Sequence, residues 1–423
     1  MKTIAIIAEY NPFHNGHLYH LQQSMDLTDA NRSVSIMSGN FLQRGEPAMW
    51  DKYTRAKMCV SSGIDLAIEL PTCYAIGSAH DFAYGAVNIL NNLNTIDYLC
   101  FGAETPDIHY IEKIADTLLE EPDEYKNILK TQLSCGESYP AARNIALKQY
   151  INNSEITDIL SLPNNILAIE YVSALKHTNS TIKPIIIKRI NNSYHDHNLT
   201  GNISSATAIR HSITNITRNK NYSNEELQSL LTHNVPLVVS NIIEKKLFIN
   251  SPIYTDYLTP FLQSKLLDMN ECNNICDISN DIANKIKKLQ TTISYKEALE
   301  TLKSKDITMS RVSRCLMHLI LNYTETMRYE FSNSGYAFYA NVLSFKKIHS
   351  DILKCINNNS AIPLITKKAD FTEYIKVLDP KKQITANKMW QLDLKATNLY
   401  NTLIFNKYNY IAYNDLTTQI PII

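Results

Sequence analysis

Two histidines, His14 and His17, form the first group of side chains that could do chemistry. They lie in the sequence His-Asn-Gly-His, after an apolar run at 3–8 and at the start of a helical pattern beginning near Gly16. A helix N-terminus presents free N–H groups and a partial positive charge, both of which attract phosphate. Imidazoles beside it can donate hydrogen bonds to phosphate oxygens as negative charge builds up. The pattern therefore predicts a phosphate site that Gly16 leaves open to close approach.

Two other interpretations of this segment remain open from its residues alone. His14, His17 and His20 are spaced by three, as metal ligands could be, although no cysteine or acidic partner completes a familiar zinc pattern. The segment could also be an ordinary capped loop with surface histidines. A second group of residues is needed to decide between these alternatives.

That second group is Ile-Ser-Ser-Ala-Thr-Ala-Ile-Arg at 203–210, which provides Ser205, Thr207 and Arg210. Hydroxyls and free amides at a helix start can hold phosphates, and an arginine one turn later can neutralise a leaving pyrophosphate. A plain helix cap at Ser204 or Ser205 is the alternative. Phosphate-binding residues without a cysteine or serine triad pattern are compatible with nucleotidyl transfer. That reaction needs no protein nucleophile, because the enzyme aligns a substrate oxygen with the α-phosphate and stabilises the developing charge.

The elements around these residues alternate between strand and helix. Apolar strand patterns occur at 3–8, 34–37, 64–70, 98–101 and 185–187, and helical patterns at 52–62, 82–93 and 108–119. This alternation predicts an α/β fold with a parallel, doubly wound sheet, in which ligands bind at the carboxyl ends of strands. The loops of interest all follow strands: His14 and His17, the loop 38–46, Gly102 and Arg189.

The remainder of the chain reads as mainly helical. We expect a helical insertion at about 120–180, a domain boundary near residue 220, and a mainly helical region over 221–423. Its last section, about 335–423, reads as short tyrosine-rich strands with basic turns at 346–347, 367–368 and 381–382. The first domain, 1–220, would then hold the nucleotide, and the second would bind a second partner.

Composition restricts the class of protein only weakly. Lys plus Arg equals Asp plus Glu at 41 each in 423 residues, so any nucleic-acid surface must be a local patch. The eight cysteines are scattered, which indicates reduced thiols in a cytoplasmic protein. Neither a signal-peptide pattern nor an apolar run of transmembrane length is found, so we expect no membrane partner.

Several blocks of sequence resemble a known family. The His-Asn-Gly-His block resembles the HIGH signature of nucleotidyltransferases. More specifically, AEYNPFHNGHLYH (8–20), MSGNFLQRGEPA (37–48), FGAE (101–104), LPNNILAIEY (162–171) and KRINNSYHD with ISSATAIR (188–196, 203–210) together resemble the bacterial tRNA(Met) cytidine acetate ligase family. The resemblance implies a Rossmann-like HIGH-type domain that joins acetate to ATP as acetyl-adenylate. The acetyl group then passes to N4 of the wobble cytidine of elongator tRNA(Met), which the region 221–423 would bind.

The same resemblance implies a set of site residues. The catalytic residues would be His14, His17, Ser205, Thr207 and Arg210. The ATP-binding residues would be Ile7, Ala8, Glu9, Tyr10, Asn11, Pro12, Phe13, His14, Asn15, Gly16, His17, Leu18, Tyr19, His20, Gly102, Asn164, Asn165, Arg189 and Ile190. The two asparagines have a helix N-cap as their alternative role. No metal site made of side chains is implied, and Mg²⁺ is expected on the phosphates.

An RNA surface must be sought locally. Arg311, Arg314 and His318 are spaced to share one helix face, with Lys303 and Lys305 upstream. They predict a stripe that follows phosphates, although a solvated basic face has the same spacing. Two other functions stay open: a cofactor adenylyltransferase, and a non-catalytic RNA-binding protein with a nucleotide pocket. The roughly 200-residue tail speaks against the first of these, and intact His14, His17, Ser205 and Arg210 speak against the second.

Overall fold

A computed structural model describes residues 1–137, 139–152, 160, 162–189, 204–218, 223–267, 272–305 and 307–423. Ile190, one of the expected ATP contacts, lies outside these ranges. In the described residues the strands are β1 Thr3–Ala8, β2 Arg32–Ser38, β3 Leu66–Leu70, β4 Tyr98–Ala103, β5 Lys183–Lys188, β6 Ala340–Phe345 and β7 Leu364–Ile365.

The helices are numbered over the same described residues. Those before residue 220 are α1 Asn15–Thr28, α2 Lys52–Ser61, α3 Thr72–Ala75, α4 Ala79–Leu93, α5 Ile108–Glu120, α6 Asp123–Ser134, α7 Tyr139–Ile151, α8 Pro163–His177 and α9 Ala206–Arg218. Those after it are α10 Asn224–Asn234, α11 Leu237–Lys246, α12 Thr259–Leu267, α13 Asn280–Ile286, α14 Tyr295–Leu302, α15 Met309–Leu321, α16 Glu325–Asn333, α17 Asp351–Asn359, α18 Phe371–Tyr374 and α19 Pro380–Tyr408.

The described strands form one sheet in the order β5-β4-β1-β2-β3-β6-β7. The five strands from β5 to β3 are parallel, as the alternation of elements predicted. The chain runs outward from β1 to β3 and then returns to the other side of β1 as β4. Neighbouring β1 and β4 therefore form the switch point at which doubly wound sheets bind ligands. The predicted fold class is confirmed.

One part of the sheet differs from the prediction. β6 pairs antiparallel with β3, and β7 extends the edge in parallel with β6. The apolar run of β6 is visible in the sequence, but its partner is not, because pairing depends on the packing of distant segments. A strand from the C-terminal part thus completes the sheet of the N-terminal part, and the boundary near residue 220 stays a prediction.

Residues of β1 alternate between the two faces of the sheet. Ala5 joins a core that contains α4, α5 and α8, whereas Ile4 and Ile6 join a core that contains α1, α2 and α9 to α11. Both faces are therefore buried, which explains the apolar run without polar alternation at 3–8. This double burial fixes the strand whose carboxyl end leads to His14.

The prediction of short strands and basic turns across 335–423 is wrong for α19. This helix begins with Pro380 after an Asp379 N-cap and ends at Tyr408, before the C-cap Asn409, whose φ is 51°. Its buried face includes Trp390, Asp393 and Thr397. The two polar residues interrupt the apolar spacing, and this interruption hides the helix in the sequence. Asp393 is buried because it accepts hydrogen bonds from the Thr72 N–H (2.7 Å) and the Tyr339 hydroxyl (2.6 Å).

A buried cluster of charges joins the sheet to the C-terminal segment. Lys52 Nζ lies 3.0 Å from the Glu69 carboxylate and 2.9 Å from Asp415, and Lys368 Nζ lies 3.0 Å from Asp415. Lys368 was expected in a surface turn and is 2% exposed. Burial alone would lower the pKa of Lys52, but the carboxylates of Asp415 and Glu69 outweigh it and raise the pKa. Lys52 is therefore charged.

Among the described residues, no helix combines the length and the apolar character needed to cross a bilayer.

Candidate active site

The two histidines cap the helix on which they lie. His14 is the N-cap of α1, and its Nδ1 accepts the Gly16 N–H at 3.0 Å. His17 Nδ1 accepts the His14 N–H at 3.2 Å, which completes a capping box. Because each Nδ1 accepts a hydrogen bond, the neutral rings carry their own proton on Nε2. Each imidazole is thus fixed as an Nε2–H donor.

Aromatic packing holds the His17 ring in place. The ring centroids of Tyr10 and Phe13 lie 4.9 and 5.5 Å from that of His17, and His14 packs on it at 3.8 Å. Tyr10 and Phe13 are buried, and Tyr10 turns the chain out of β1 with a φ of 47°. The aromatic residues of Tyr-Asn-Pro-Phe therefore orient the imidazole and leave it little rotational freedom.

Both histidines are neutral at ordinary pH. Burial, together with the charges of Arg189 and Arg210, lowers the pKa of His14 to about 3. Burial and the neighbouring His14 and His20 hold the pKa of His17 well below its usual value. A neutral Nε2–H donor can stabilise phosphate charge without itself carrying a charge that changes near pH 7.

The segment that carries Ser205, Thr207 and Arg210 lies against the segment that carries the two histidines. Arg210 Nη1 donates to the Asn11 carbonyl at 2.9 Å, and Nη2 donates to Thr207 Oγ1 at 3.2 Å. Ser205 Oγ accepts the Ala208 N–H at 3.1 Å, so the cap interpretation of this serine is correct. Arg210 thus joins the start of α9 to the loop between β1 and α1. Two helix N-termini, about 190 residues apart in sequence, meet at one place.

A cavity of about 270 Å³ opens at this place, at the carboxyl ends of β1 and β4. All five expected catalytic residues line it. The expected ATP contacts that line it are Ile7, Ala8, Glu9, Tyr10, Asn11, His14, Gly16, His17, Tyr19, His20, Gly102, Asn164 and Arg189. The expected contacts outside its lining are Pro12, Phe13, Asn15, Leu18 and Asn165. Most residues that the sequence pattern predicted therefore line this cavity, and the other described ones lie outside its lining.

The two asparagines separate into different roles. Asn165 is fully buried, and its Oδ1 accepts the N–H groups of Glu104 (3.0 Å) and Thr105 (3.1 Å). Asn164 lines the cavity, and its Oδ1 accepts a hydrogen bond from Arg189 Nη1 at 3.2 Å. Neither is the N-cap of α8, because that helix begins at Pro163 after Leu162. The N-cap alternative was therefore wrong, and Asn165 acts by fixing the chain after β4.

Gly102 shows why this position on β4 suits a small residue. A Cβ added there would lie 3.2 Å from the Arg189 side chain. A larger residue would therefore crowd the Arg189 side chain, which donates a hydrogen bond to Asn164.

Part of the cavity wall is formed by residues that the sequence patterns did not indicate. The missed lining residues include Leu167, Tyr171, Phe82, Phe101, Lys188 and Ser204. A signal was available for two of them, since Leu167 and Tyr171 follow Asn164 at i+3 and i+7 on one face of α8. The Ser204 hydroxyl is buried and makes no hydrogen bond with any part of the chain that the structure describes.

A buried arginine holds the strand ends behind the cavity. The Arg55 side chain is 0% exposed, and Nε donates to the Trp50 carbonyl at 2.9 Å. Its other donors bind the carbonyls of Glu9, directly after β1, and of Ser38 and Gly39, at the end of β2. One guanidinium therefore ties two strand ends together.

We expect Arg55→Met to lower the free energy of unfolding by about 3 kcal/mol, because three buried carbonyls and one partly buried carbonyl lose their donor. Urea denaturation measures the change. Arg55→Lys keeps the charge without the planar fork and should recover only a minor part of the loss. An Arg55→Met protein whose unfolding free energy falls by less than about 0.5 kcal/mol would contradict this role.

The predicted basic stripe on α15 is largely wrong. His318 is 0% exposed, and its two ring nitrogens contact the carbonyls of Cys276 (3.0 Å) and Ile76 (3.1 Å). Arg314 Nε lies 3.1 Å from the Asp277 carboxylate. The spacing placed all three residues on one face correctly, but that face packs against neighbouring segments. Arg311, one turn nearer the start of the helix, remains as a partly exposed cation.

The comparisons with known proteins agree with this geometry. The HIGH Nucleotidyl Transferase family matches residues 1–415. A tRNA(Met) cytidine acetate ligase of Acetivibrio thermocellus is 40% identical over 405 residues, covering 95% of this chain and 94% of that protein. One of Clostridium kluyveri is 38% identical over 431 residues, covering 100% and 99%. This chain belongs to the tRNA(Met) cytidine acetate ligase family.

A solved structure of a protein with the same fold is consistent with that membership. Thermotoga maritima TmcAL, bound with alpha-thio ATP, is 28% identical, covers 100% of this chain and 99% of its own, and superposes with a TM-score of 0.89. The resemblance to the tRNA(Met) cytidine acetate ligase family is therefore confirmed across both halves of the chain. The roles of individual residues in the cavity stay predictions.

Proposed function

We propose that this chain is an ATP-dependent ligase that activates acetate as acetyl-adenylate and transfers the acetyl group to N4 of the wobble cytidine of elongator tRNA(Met). The observation that carries the proposal is the hydrogen bond from Arg210 to the Asn11 carbonyl. It brings two helix N-termini, with neutral imidazoles and a guanidinium, to one cavity at the switch point of the sheet. Such a site suits a triphosphate.

In the first step, a carboxylate oxygen of acetate attacks the α-phosphorus of ATP. The bond between the α-phosphorus and the bridging oxygen breaks, and pyrophosphate leaves with that oxygen and its electron pair. We propose that the Nε2–H groups of His14 and His17 donate to phosphate oxygens and that Arg210 with Thr207 holds the departing phosphates. The described cavity lining has Arg44, Lys188, Arg189 and Arg210 against Glu9 and Glu46, an excess of positive charge that favours a polyphosphate.

The apolar part of the cavity suits the base. Leu167, Tyr171 and Phe101 line it, and the rings of Phe101 and Tyr171 lie 5.5 Å apart. We assign the adenine to this wall and the ribose and phosphates to the sides formed by Asn164, Arg189 and the two helix starts. The proposed ATP site then takes in the lining residues of the predicted segment 7–20, Gly102, Asn164 and Arg189, with Asn165 supporting it. Ile190 lies outside the described residues and stays a predicted contact.

We propose that Mg²⁺ enters the site together with ATP, where it would offset the negative charge of the phosphates. Within the described ranges, no group of three or more His, Cys, Asp or Glu side chains is placed to hold a metal ion.

In the second step, the cytidine amine attacks the acetyl carbonyl and AMP leaves. The residues after 220 are proposed to bind the tRNA, with Arg311 as one phosphate contact, and we propose that the protein works in the cytoplasm. Long basic side chains that touch RNA phosphates make binding depend on salt.

Incubation with labelled acetate, ATP and mixed tRNA tests the proposal. We expect acetate-dependent release of pyrophosphate, and N4-acetylcytidine in tRNA(Met) by nucleoside mass spectrometry. Pyrophosphate release with no acetylated nucleoside would favour a cofactor adenylyltransferase. RNA binding with no pyrophosphate release would favour a non-catalytic RNA-binding protein.

A further inference from the structure

A tight loop, residues 41–47, forms one wall of the cavity. The Leu42 N–H donates to the Glu46 carbonyl at 2.9 Å, the Gly45 N–H donates to the Leu42 carbonyl at 2.8 Å, and Phe41 pairs with Pro47. The Gln43 N–H donates to the Glu9 carboxylate at 2.8 Å, which ties the loop to the end of β1. Gln43, Arg44 and Glu46 line the cavity, so the loop presents them to the ligand.

The back of this loop rests on α15. Ser313 Oγ donates to the Gly45 carbonyl at 2.8 Å. Gly45 has a φ of 73°, and a Cβ there would lie 2.5 Å from the Arg314 backbone nitrogen. The loop therefore separates the nucleotide cavity from the helix that carries Arg311. An RNA lying on that helix would approach the cavity across the loop.

Acetyl transfer needs a group that takes a proton, and few groups near the cavity can do so. The two histidines that cap α1 cannot, because Nδ1 of each is used in capping and Nε2 already carries a proton. His20, which also lines the cavity, is a weak base, because burial lowers its pKa to about 4. In the described part of the lining the carboxylates are Glu9 and Glu46. Glu9 accepts the Gln43 N–H, which leaves Glu46 as the better candidate.

We propose that the Glu46 carboxylate is the general base of the acetyl-transfer step. This assignment rests on the proposed function and adds a catalytic residue to it. As N4 of cytidine attacks the acetyl carbonyl, the N4–C bond forms and one N4 proton moves to a Glu46 oxygen. The bond between the acetyl carbon and the phosphate oxygen then breaks, AMP leaves with the electron pair, and Glu46 returns its proton to solvent.

The surroundings of Glu46 suit this role. Burial raises the pKa of its carboxyl group. The charges of Arg210 and Arg44 lower this pKa, and the charge of Glu9 raises it further. Burial and, in turn, the Glu46 carboxylate raise the pKa of Tyr295 on α14. A base whose pKa is raised toward the working pH accepts a proton more effectively. Below that raised pKa the group is protonated, so the transfer rate should fall as pH falls through it.

Glu46→Gln tests the assignment by separating the two steps. Acetate-dependent ATP–pyrophosphate exchange reports the first step. Single-turnover transfer from preformed acetyl-adenylate to tRNA reports the second. We expect transfer to slow by about 100-fold or more and by far more than exchange, whose rate can also change because Glu46 lines the nucleotide cavity. The acid limb of the transfer pH profile should disappear in Glu46→Gln and persist in Glu46→Asp.

Glu300→Gln is the matched control, because Glu300 is an exposed glutamate on α14 outside the cavity lining; both rates should be unchanged. Equal losses in exchange and transfer, or transfer at the parent rate, would overturn the assignment. If Glu46→Gln does not fold, a Glu46→Asp protein without an acid limb would overturn it. A parent protein that forms no acetyl-adenylate would overturn the proposed function itself.

Discussion

Replacement of His17 by alanine is expected to slow acetate-dependent ATP–pyrophosphate exchange by about 100- to 1,000-fold, the usual effect of removing one preorganised donor to developing charge. The reason is geometric. Its Nδ1 is used in capping α1, so its Nε2–H is the group available to a phosphate oxygen. Exchange of labelled pyrophosphate into ATP, with acetate present, measures the change.

Two further variants separate this role from capping. His17→Gln can still accept the His14 N–H from the third helical position, as glutamine does in a capping box, so the helix start should survive while exchange stays slow. His109→Ala removes an exposed histidine outside the cavity lining and should leave exchange within about twofold. A His17→Gln protein that exchanges at the parent rate would refute the donor role.

The second large effect concerns stability. Lys52→Met is expected to lower the free energy of unfolding by about 3–5 kcal/mol, the usual cost of leaving buried charges without their partner. Lys52 is 0% exposed and contacts both Glu69 and Asp415. Its loss leaves two buried carboxylates with the single cation Lys368. Urea denaturation followed by circular dichroism gives the change.

An exposed ion pair provides the control. Lys2 lies 3.4 Å from Asp29, with half of its side chain exposed, so Lys2→Met should cost less than about 1 kcal/mol. Combining Lys52→Met with Glu69→Gln removes one orphaned charge and should recover part of the lost stability. If Lys52→Met and Lys2→Met unfold with equal free energies, the cluster does not hold the two parts of the chain together.

The parallel sheet and the position of the cavity could be predicted because they depend on local patterns. A doubly buried strand such as β1 shows an uninterrupted apolar run, and the two helix starts carry polar residues directly after strands. Topology then places strand ends on one edge. Residues such as His14, Gly102 and Arg189 therefore converge although they are far apart in sequence.

What could not be predicted depends on contacts between distant segments. The antiparallel pairing of β6 with β3 has no local signal. The helix α19 was hidden because Asp393 and Thr397 occupy buried positions that sequence rules reserve for apolar residues. His318 and Arg314 kept the predicted spacing, but Asp277 and two backbone carbonyls take up their polar groups. Spacing tells which residues share a face, and it does not tell what covers that face.

The division of the two asparagines shows the same limit inside the site. Both follow a proline at a helix start, and adjacent residues on a helix point in different directions. Asn164 consequently reaches the cavity and Arg189, whereas Asn165 is buried against the chain after β4. Only the packing of α8 on that chain decides which asparagine can meet a ligand.

A crystal structure of this chain with alpha-thio ATP tests the central claim most directly. We expect phosphate oxygens within hydrogen-bond distance, about 3 Å, of His17 Nε2 and of the Arg210 guanidinium, with the adenine against Leu167 and Tyr171. A nucleotide bound elsewhere, or one whose phosphates touch neither helix start, would contradict the account.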